Sequence, residues 1–163
     1  PKSVNPSTLR TVTNAIDFLA VLFEPVNFVD NLATVPASIL VVDDEELSRR
    51  AVIHALEKAK LPSVSVDDPL IALRLLSENT YDLVLLDINM PGMNGFELCT
   101  KLRALPAHKA TPVVFVTALS DFESRAKSTI SGGNDLIAKP FLFMELAVKA
   151  MLYVLRGRLA AKK

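Results

Sequence analysis

Four apolar runs in this chain each stop at a polar residue of a kind suited to phosphate chemistry. Val42 runs into Asp43 and Asp44, Leu86 into Asp87, Val116 into Thr117, and Ala138 into Lys139. Three carboxylates brought together repel and raise one another's pKa unless a cation compensates. Mg²⁺ suits that role: it takes hard oxygen ligands, keeps several waters and leaves positions for a phosphate oxygen. With the charge neutralised, one carboxylate can attack an incoming phosphoryl group. Asp87, in the central run, is the expected nucleophile. Lys139 is expected to pair with one phosphate oxygen and Thr117 to donate a hydrogen bond to another, while the small Ala118 leaves access. Asn89 and the turn at 90–95 follow Asp87, and Pro91 with Gly92 and Gly95 lets the backbone approach a metal closely. A main-chain carbonyl there is a candidate ligand. Lys139 precedes Pro140, a bond that the sequence allows as either cis or trans.

Such a convergence requires the runs to be neighbouring strands. Short β-branched and leucine-rich runs at 39–42, 64–66, 83–86, 113–116 and 136–138 alternate with helical periods at 45–59, 69–77, 95–105, 121–130 and 143–158. Runs without polar alternation suit strands covered on both faces, as in parallel sheets with crossover helices. The expected fold is α/β, a doubly wound five-stranded parallel sheet with helices on both faces. In such a sheet ligands bind at the carboxyl ends of the strands, where the winding reverses. Ahead of it, Leu9, Val12, Ile16, Leu19 and Phe23 recur every three or four residues behind Ser7 and Thr8, which predicts an amphipathic helix over 7–23. Pro25, Asn27, Asn31 and Pro36 make the following stretch a connector. The expected organisation is 1–37 helix and connector, 38–158 main domain and 159–163 basic tail.

The 163 residues suffice for one domain with a modest extension. Lys and Arg number 18 and Asp and Glu 18, so no overall field draws the protein to nucleic acid or an anionic membrane. One cysteine, Cys99, excludes an internal disulfide, and with only two histidines an ordinary zinc site is not expected. This points to a reducing compartment, the cytoplasm. No run approaches the roughly 18 apolar residues of a membrane span, and the N-terminus lacks the order of a signal peptide. The start at Pro1 without Met suggests a piece of a longer protein.

The stretches Val41-Val42-Asp43-Asp44-Glu45, Leu86-Asp87-Ile88-Asn89-Met90-Pro91-Gly92-Met93-Asn94-Gly95, Val116-Thr117-Ala118 and Ala138-Lys139-Pro140-Phe141 resemble, in order and separation, the motifs of the receiver domain of two-component response regulators. The resemblance covers about residues 38–158 and implies the flavodoxin-like receiver fold. It implies that Asp87 accepts a phosphoryl group from a phosphohistidine on a sensor histidine kinase or a phosphotransfer protein. It further implies that Asp44, Asp87 and the Asn89 carbonyl bind Mg²⁺, with Asp43 helping through water. Thr117 and Lys139 would sense the phosphate and reshape the surface of the fourth helix, fifth strand and fifth helix. The family places a swinging aromatic residue three before the lysine. Here that residue is Leu136, which has no ring to swap between exposed and buried states, so weaker or different coupling to output is expected. The implied activity is that of a signalling module limited to self-phosphorylation and slow hydrolysis, not a turnover enzyme.

Two other classes compete for these residues. A Mg²⁺-dependent phosphohydrolase working through an aspartyl-phosphate wants a second carboxylate two residues after the nucleophile, where this chain has Asn89. A phosphorylation-independent receiver-like scaffold or dimerisation module finds support in Leu136 alone. Singly, Asp43 and Asp44 suit a helix N-terminus, Thr117 a cap and Lys139 a surface charge; their common register favours function. Asn89 is expected to modulate the lifetime of the phosphorylated state. Cys99 reads as core, and His54 and His108 as incidental. The last helix is apolar on more than one side, so its outer side is expected to be covered by helix 7–23, by a second copy in a homodimer, or by another domain; the first is favoured. No DNA-binding unit is visible, which leaves the output to another chain or segment.

Overall fold

In the computed structural model, which describes residues 10, 13, 37–118 and 129–161, five strands form one parallel sheet. They are β1 (Ile39–Val42), β2 (Ser63–Val66), β3 (Leu83–Leu86), β4 (Val113–Thr117) and β5 (Asp135–Ala138), in the order β2-β1-β3-β4-β5. Between and after them lie α1 (Glu46–Lys58), α2 (Pro69–Glu78), α3 (Gly95–Ala104), a 3-10 turn at Pro106–His108, and α4 (Phe143–Ala161). The expected strands are all present, with Thr117 and Asp135 inside β4 and β5 rather than beside them. The helices expected at 45–59, 69–77, 95–105 and 143–158 are also present, with α4 running on to Ala161. Helix 121–130 lies outside the described residues except for Thr129 and Ile130, and helix 7–23 except for Arg10 and Thr13; all four residues are helical.

The unbroken apolar runs have a simple cause. In a strand successive side chains point to opposite faces, so Leu40, Val42, Val84, Leu86, Val113 and Phe115 pack under α2 and α3, whereas Ile39, Val41, Leu83, Leu85, Val114 and Val116 pack under α1 and α4. Both faces of β1 and β3 are covered, and neither strand carries a polar residue. Leu136, in register with Phe115, lies in the α2–α3 layer at 3% exposure.

The chain steps from β1 to β2 in one direction, and from β2 through β3 and β4 to β5 in the other. Winding therefore reverses between β1 and β3, where Asp43 and Asp87 follow the last strand residues. Two helix starts steer loops around that crevice. Asp68 caps α2 by accepting from the Leu70 N–H at 2.6 Å with Pro69 behind it. Asn94 and Glu97 form a reciprocal capping box at α3. Gly95 permits α3 to begin against the end of β3, since a Cβ there would collide with the Asp87 carbonyl.

Two polar side chains are fully buried. His108 is fully buried, its Nδ1 3.0 Å from Thr111 Oγ1 and its Nε2 2.9 Å from the Leu76 carbonyl. It ties the end of α2 to the approach to β4. Lys149, within the apolar stretch of α4, is also fully buried, 3.2 Å from Asp135 Oδ2. Cys99 is buried in the α2–α3 layer, as expected.

Candidate functional site

The sheet ladder itself delivers the acids. The Asp43 amide donates to the Val66 carbonyl at 3.2 Å and the Asp87 amide to the Val42 carbonyl at 2.8 Å, so both residues extend the pairing by one position. Asp43 is 2% and Asp87 6% exposed, while Asp44 is open to solvent. One carboxylate oxygen from each of the three lies within 4.8 Å of the others.

Lys139 arrives from the far edge. Its amide donates to the Thr117 carbonyl at 2.8 Å, next to the pairing of Thr117 with Ala138. From there its Nζ reaches 2.8 Å from Asp43 Oδ2 and 3.0 Å from Asp87 Oδ1. The Lys139–Pro140 bond is cis. Thr117 is fully buried at the end of β4, on the same edge as the acids. Asn89 is exposed, and its amide donates to Asp87 Oδ2 at 2.9 Å.

Two residues outside the sequence motifs hold Asp43 in place. Ser48 Oγ donates to Asp43 Oδ2 at 2.6 Å, and Arg49 Nη1 donates to the Asp43 carbonyl at 2.7 Å. The signal was available: side chains in the first turn of a helix point back toward its N-terminus, and α1 starts three residues after Asp43. Asp43 Oδ1 also accepts from the Glu45 amide at 3.0 Å.

Burial pushes the Asp87 carboxyl above the ordinary carboxylate range; Lys139 opposes this and the charge of Asp43 adds to it. Burial alone would pull the Lys139 ammonium down, but its hydrogen bonds to Asp43 and Asp87, and their charges, hold it above the ordinary lysine value. Among the described residues, three carboxylates thus converge, and the ammonium meets two of them, Asp43 and Asp87. The donor set is all hard oxygen with negative charge in excess, and one acid faces water, which fits a small hard divalent cation such as Mg²⁺. A cleft lined by Asp44, Asp67, Asp68, Pro91 and Met93 opens beside the cluster. Among the described residues no helix is long and apolar enough to cross a membrane.

Residues 39–150 match the family described as the response regulator receiver domain. The chain is 39% identical over 116 residues to the transcriptional regulatory protein SrrA of Staphylococcus aureus, covering 70% of this chain and 47% of that protein. It therefore spans about half the length of that relative. Among solved structures it is similar to the Vibrio cholerae chemotaxis protein CheY4, with a TM-score of 0.69 and 29% identity over 74% of this chain and 99% of that one. It is also similar to the receiver domain of the sensor histidine kinase PA1611 from Pseudomonas aeruginosa PAO1. There the TM-score is 0.67 and the identity 25%, over 74% of this chain and 98% of that one, and that structure has a magnesium ion coordinated in its active-site cleft.

Proposed function

The chain belongs to the response regulator receiver domain family of two-component systems, and from that premise we propose that Asp87 accepts a phosphoryl group from a phosphohistidine on a sensor histidine kinase or phosphotransfer protein. The observation that carries this reading is the Lys139 ammonium spanning Asp43 and Asp87 at the point where the sheet winding reverses. Asp43, Asp44, Asp87 and the Asn89 carbonyl would hold Mg²⁺. When bound, that ion supplies positive charge against the carboxylates and the transferring oxygens.

The chain's own residues divide the remaining work. A carboxylate oxygen of Asp87 forms the new O–P bond as the P–N bond to the donor imidazole breaks, and the imidazole leaves with the electron pair. Lys139 shifts from Asp87 to an oxygen of the transferred group, which keeps the ammonium paired throughout. Thr117 donates its hydroxyl to another oxygen. Ser48 and Arg49 keep Asp43 oriented while the charge beside it changes. The module performs self-phosphorylation and slow hydrolysis only, and its proposed setting is the cytoplasm, in keeping with the unpaired thiol of Cys99.

One observation favours a second reading. Leu136 is already packed in the core opposite Phe115, so no ring swings there to report the phosphate. A scaffold or homodimerisation module that works without phosphorylation would need no such report. Intact mass after incubation with acetyl phosphate separates the two readings. A Mg²⁺-dependent gain of about 80 Da, one phosphoryl group, that EDTA abolishes supports the phosphoacceptor. No gain with any small phosphodonor or metal supports the scaffold.

A further inference from the structure

The cleft beside the acid cluster has a volume of about 530 Å³, within the range of clefts that bury a small ligand. Its walls come from two loops that follow different strands. Asp67, Asp68, Pro69 and Leu70 lead from β2 into α2, and Pro91, Gly92 and Met93 form the turn after β3. Both walls are set in advance: the Asp68 carboxylate accepts from the Leu70 amide at 2.6 Å, and the Met93 amide donates to the Pro91 carbonyl at 2.9 Å. Asp44 lines the cleft and also belongs to the acid cluster, so the two are continuous.

Two chemistries meet in this lining. Pro69, Leu70, Pro91 and Met93 are apolar, and Leu70 is 63% exposed. Every charged residue of the lining is an aspartate. Mg²⁺, compact and strongly hydrated, makes no use of apolar walls. An arginine side chain uses both features: its methylene stem lies along apolar surface while the weakly hydrated guanidinium pairs with carboxylates. The phosphodonor protein is the source of such a side chain that the site's position favours. To bring its phosphorus to Asp87, the donor must lie over the carboxyl ends of the strands, and Asp44 makes the cleft part of that contact.

We propose that this cleft is a docking subsite for the phosphodonor protein and takes an arginine that the donor carries near its phosphohistidine, an inference that rests on Asp87 being the phosphoacceptor. Leu70 and Met93 receive the stem. Asp67 and Asp68 receive the guanidinium, because Asp44 is committed to Mg²⁺. Donors without such an arm, acetyl phosphate among them, bypass the cleft.

Two synthetic phosphohistidine peptides test this on the full chain with Mg²⁺. Each carries one phosphohistidine, flanked four residues away on both sides by arginine in one peptide and by glutamate in the other. Below saturation the arginine peptide should transfer its phosphoryl group roughly tenfold faster, as charge complementarity at a contact rim raises association. Asp67→Asn combined with Leu70→Ser should cut that ratio below about threefold when each rate is normalised to the acetyl phosphate rate of the same protein. Equal rates for the two peptides in the parent overturn the proposal. A preference that survives both substitutions also overturns it, because the attraction then lies elsewhere on the edge. So does a loss that acetyl phosphate shares in full, which would place the two residues in the acceptor chemistry itself. Should the paired substitutions lower the unfolding midpoint, Asp67→Asn alone decides by the same ratio. Labelling by acetyl phosphate without a peptide preference removes this proposal alone, whereas no labelling by any donor removes the phosphoacceptor reading and this proposal with it.

Discussion

Lys139 Nζ lies 2.8 Å from Asp43 Oδ2 and 3.0 Å from Asp87 Oδ1, so one ammonium joins acids from two different strands. Both acids are buried, and the charge of Asp43 adds to the cost of ionising Asp87. The lysine relieves that conflict from a third strand, β5, and is within reach of any group that arrives on Asp87.

Lys139→Met removes this relief and the cation that meets the transferred oxygens. Phosphorylation by acetyl phosphate should slow by roughly 10²–10³-fold, the cost of removing one preorganised charge-stabilising donor. Initial rates from intact mass at saturating Mg²⁺ measure it, and a loss below about threefold would remove Lys139 from the mechanism.

The raised Asp87 carboxyl has a consequence for stability. Through the acid range the folded chain binds this proton more readily than the unfolded chain, so Asp87 contributes a loss of stability as pH rises out of that range. Asp87→Asn should therefore melt higher than the parent at neutral pH without metal, and the gap should close as pH falls below the ordinary carboxylate range. Lys139 acts in the opposite window: its contribution persists up to the ordinary lysine range and is lost as pH rises through its raised value. Thermal melts with EDTA across pH check both.

Gly95→Ala should destabilise the fold by about 1–3 kcal/mol, the usual cost of forcing a methyl into a packed site. The added Cβ meets the Asp87 carbonyl and the backbone of Ile88 rather than a flexible side-chain end. Urea unfolding measures the change, and an unchanged midpoint would mean that the turn can open at no cost.

Lys149 and Asp135 form a buried pair, with the Tyr153 hydroxyl 3.3 Å from the same Asp135 oxygen. Lys149→Ala strands the carboxylate and should cost about 3–5 kcal/mol. Lys149→Ala combined with Asp135→Asn should recover a large part of that loss in urea unfolding. Additive losses would show that the pair is not coupled.

Strands β1, β3 and β4, and the convergence of Asp43, Asp44, Asp87 and Lys139, were legible because polar residues end otherwise apolar runs, a pattern that strands covered on both faces impose. Ser48 and Arg49 were not, because their roles depend on how α1 leaves β1, and a polar first turn reads the same whether it faces water or an aspartate. Lys149 and His108 were hidden for a related reason. A lone charge in an apolar helix, or a lone histidine in a loop, shows its burial only once its partners, Asp135 or the Leu76 carbonyl, are brought from distant sequence. Leu136 was legible as a departure from the family pattern, and its burial in the α2–α3 layer shows what replaces the missing ring.

The most direct test of Asp87 as phosphoacceptor is to treat the Mg²⁺–acetyl phosphate product with borohydride, which reduces an acyl phosphate to an alcohol, and to locate the changed residue by peptide sequencing. The account predicts homoserine at position 87 and none in the EDTA control. Modification at Asp43 or Asp44 instead, or an unmodified residue 87 in a protein that has gained the phosphoryl mass, would contradict it.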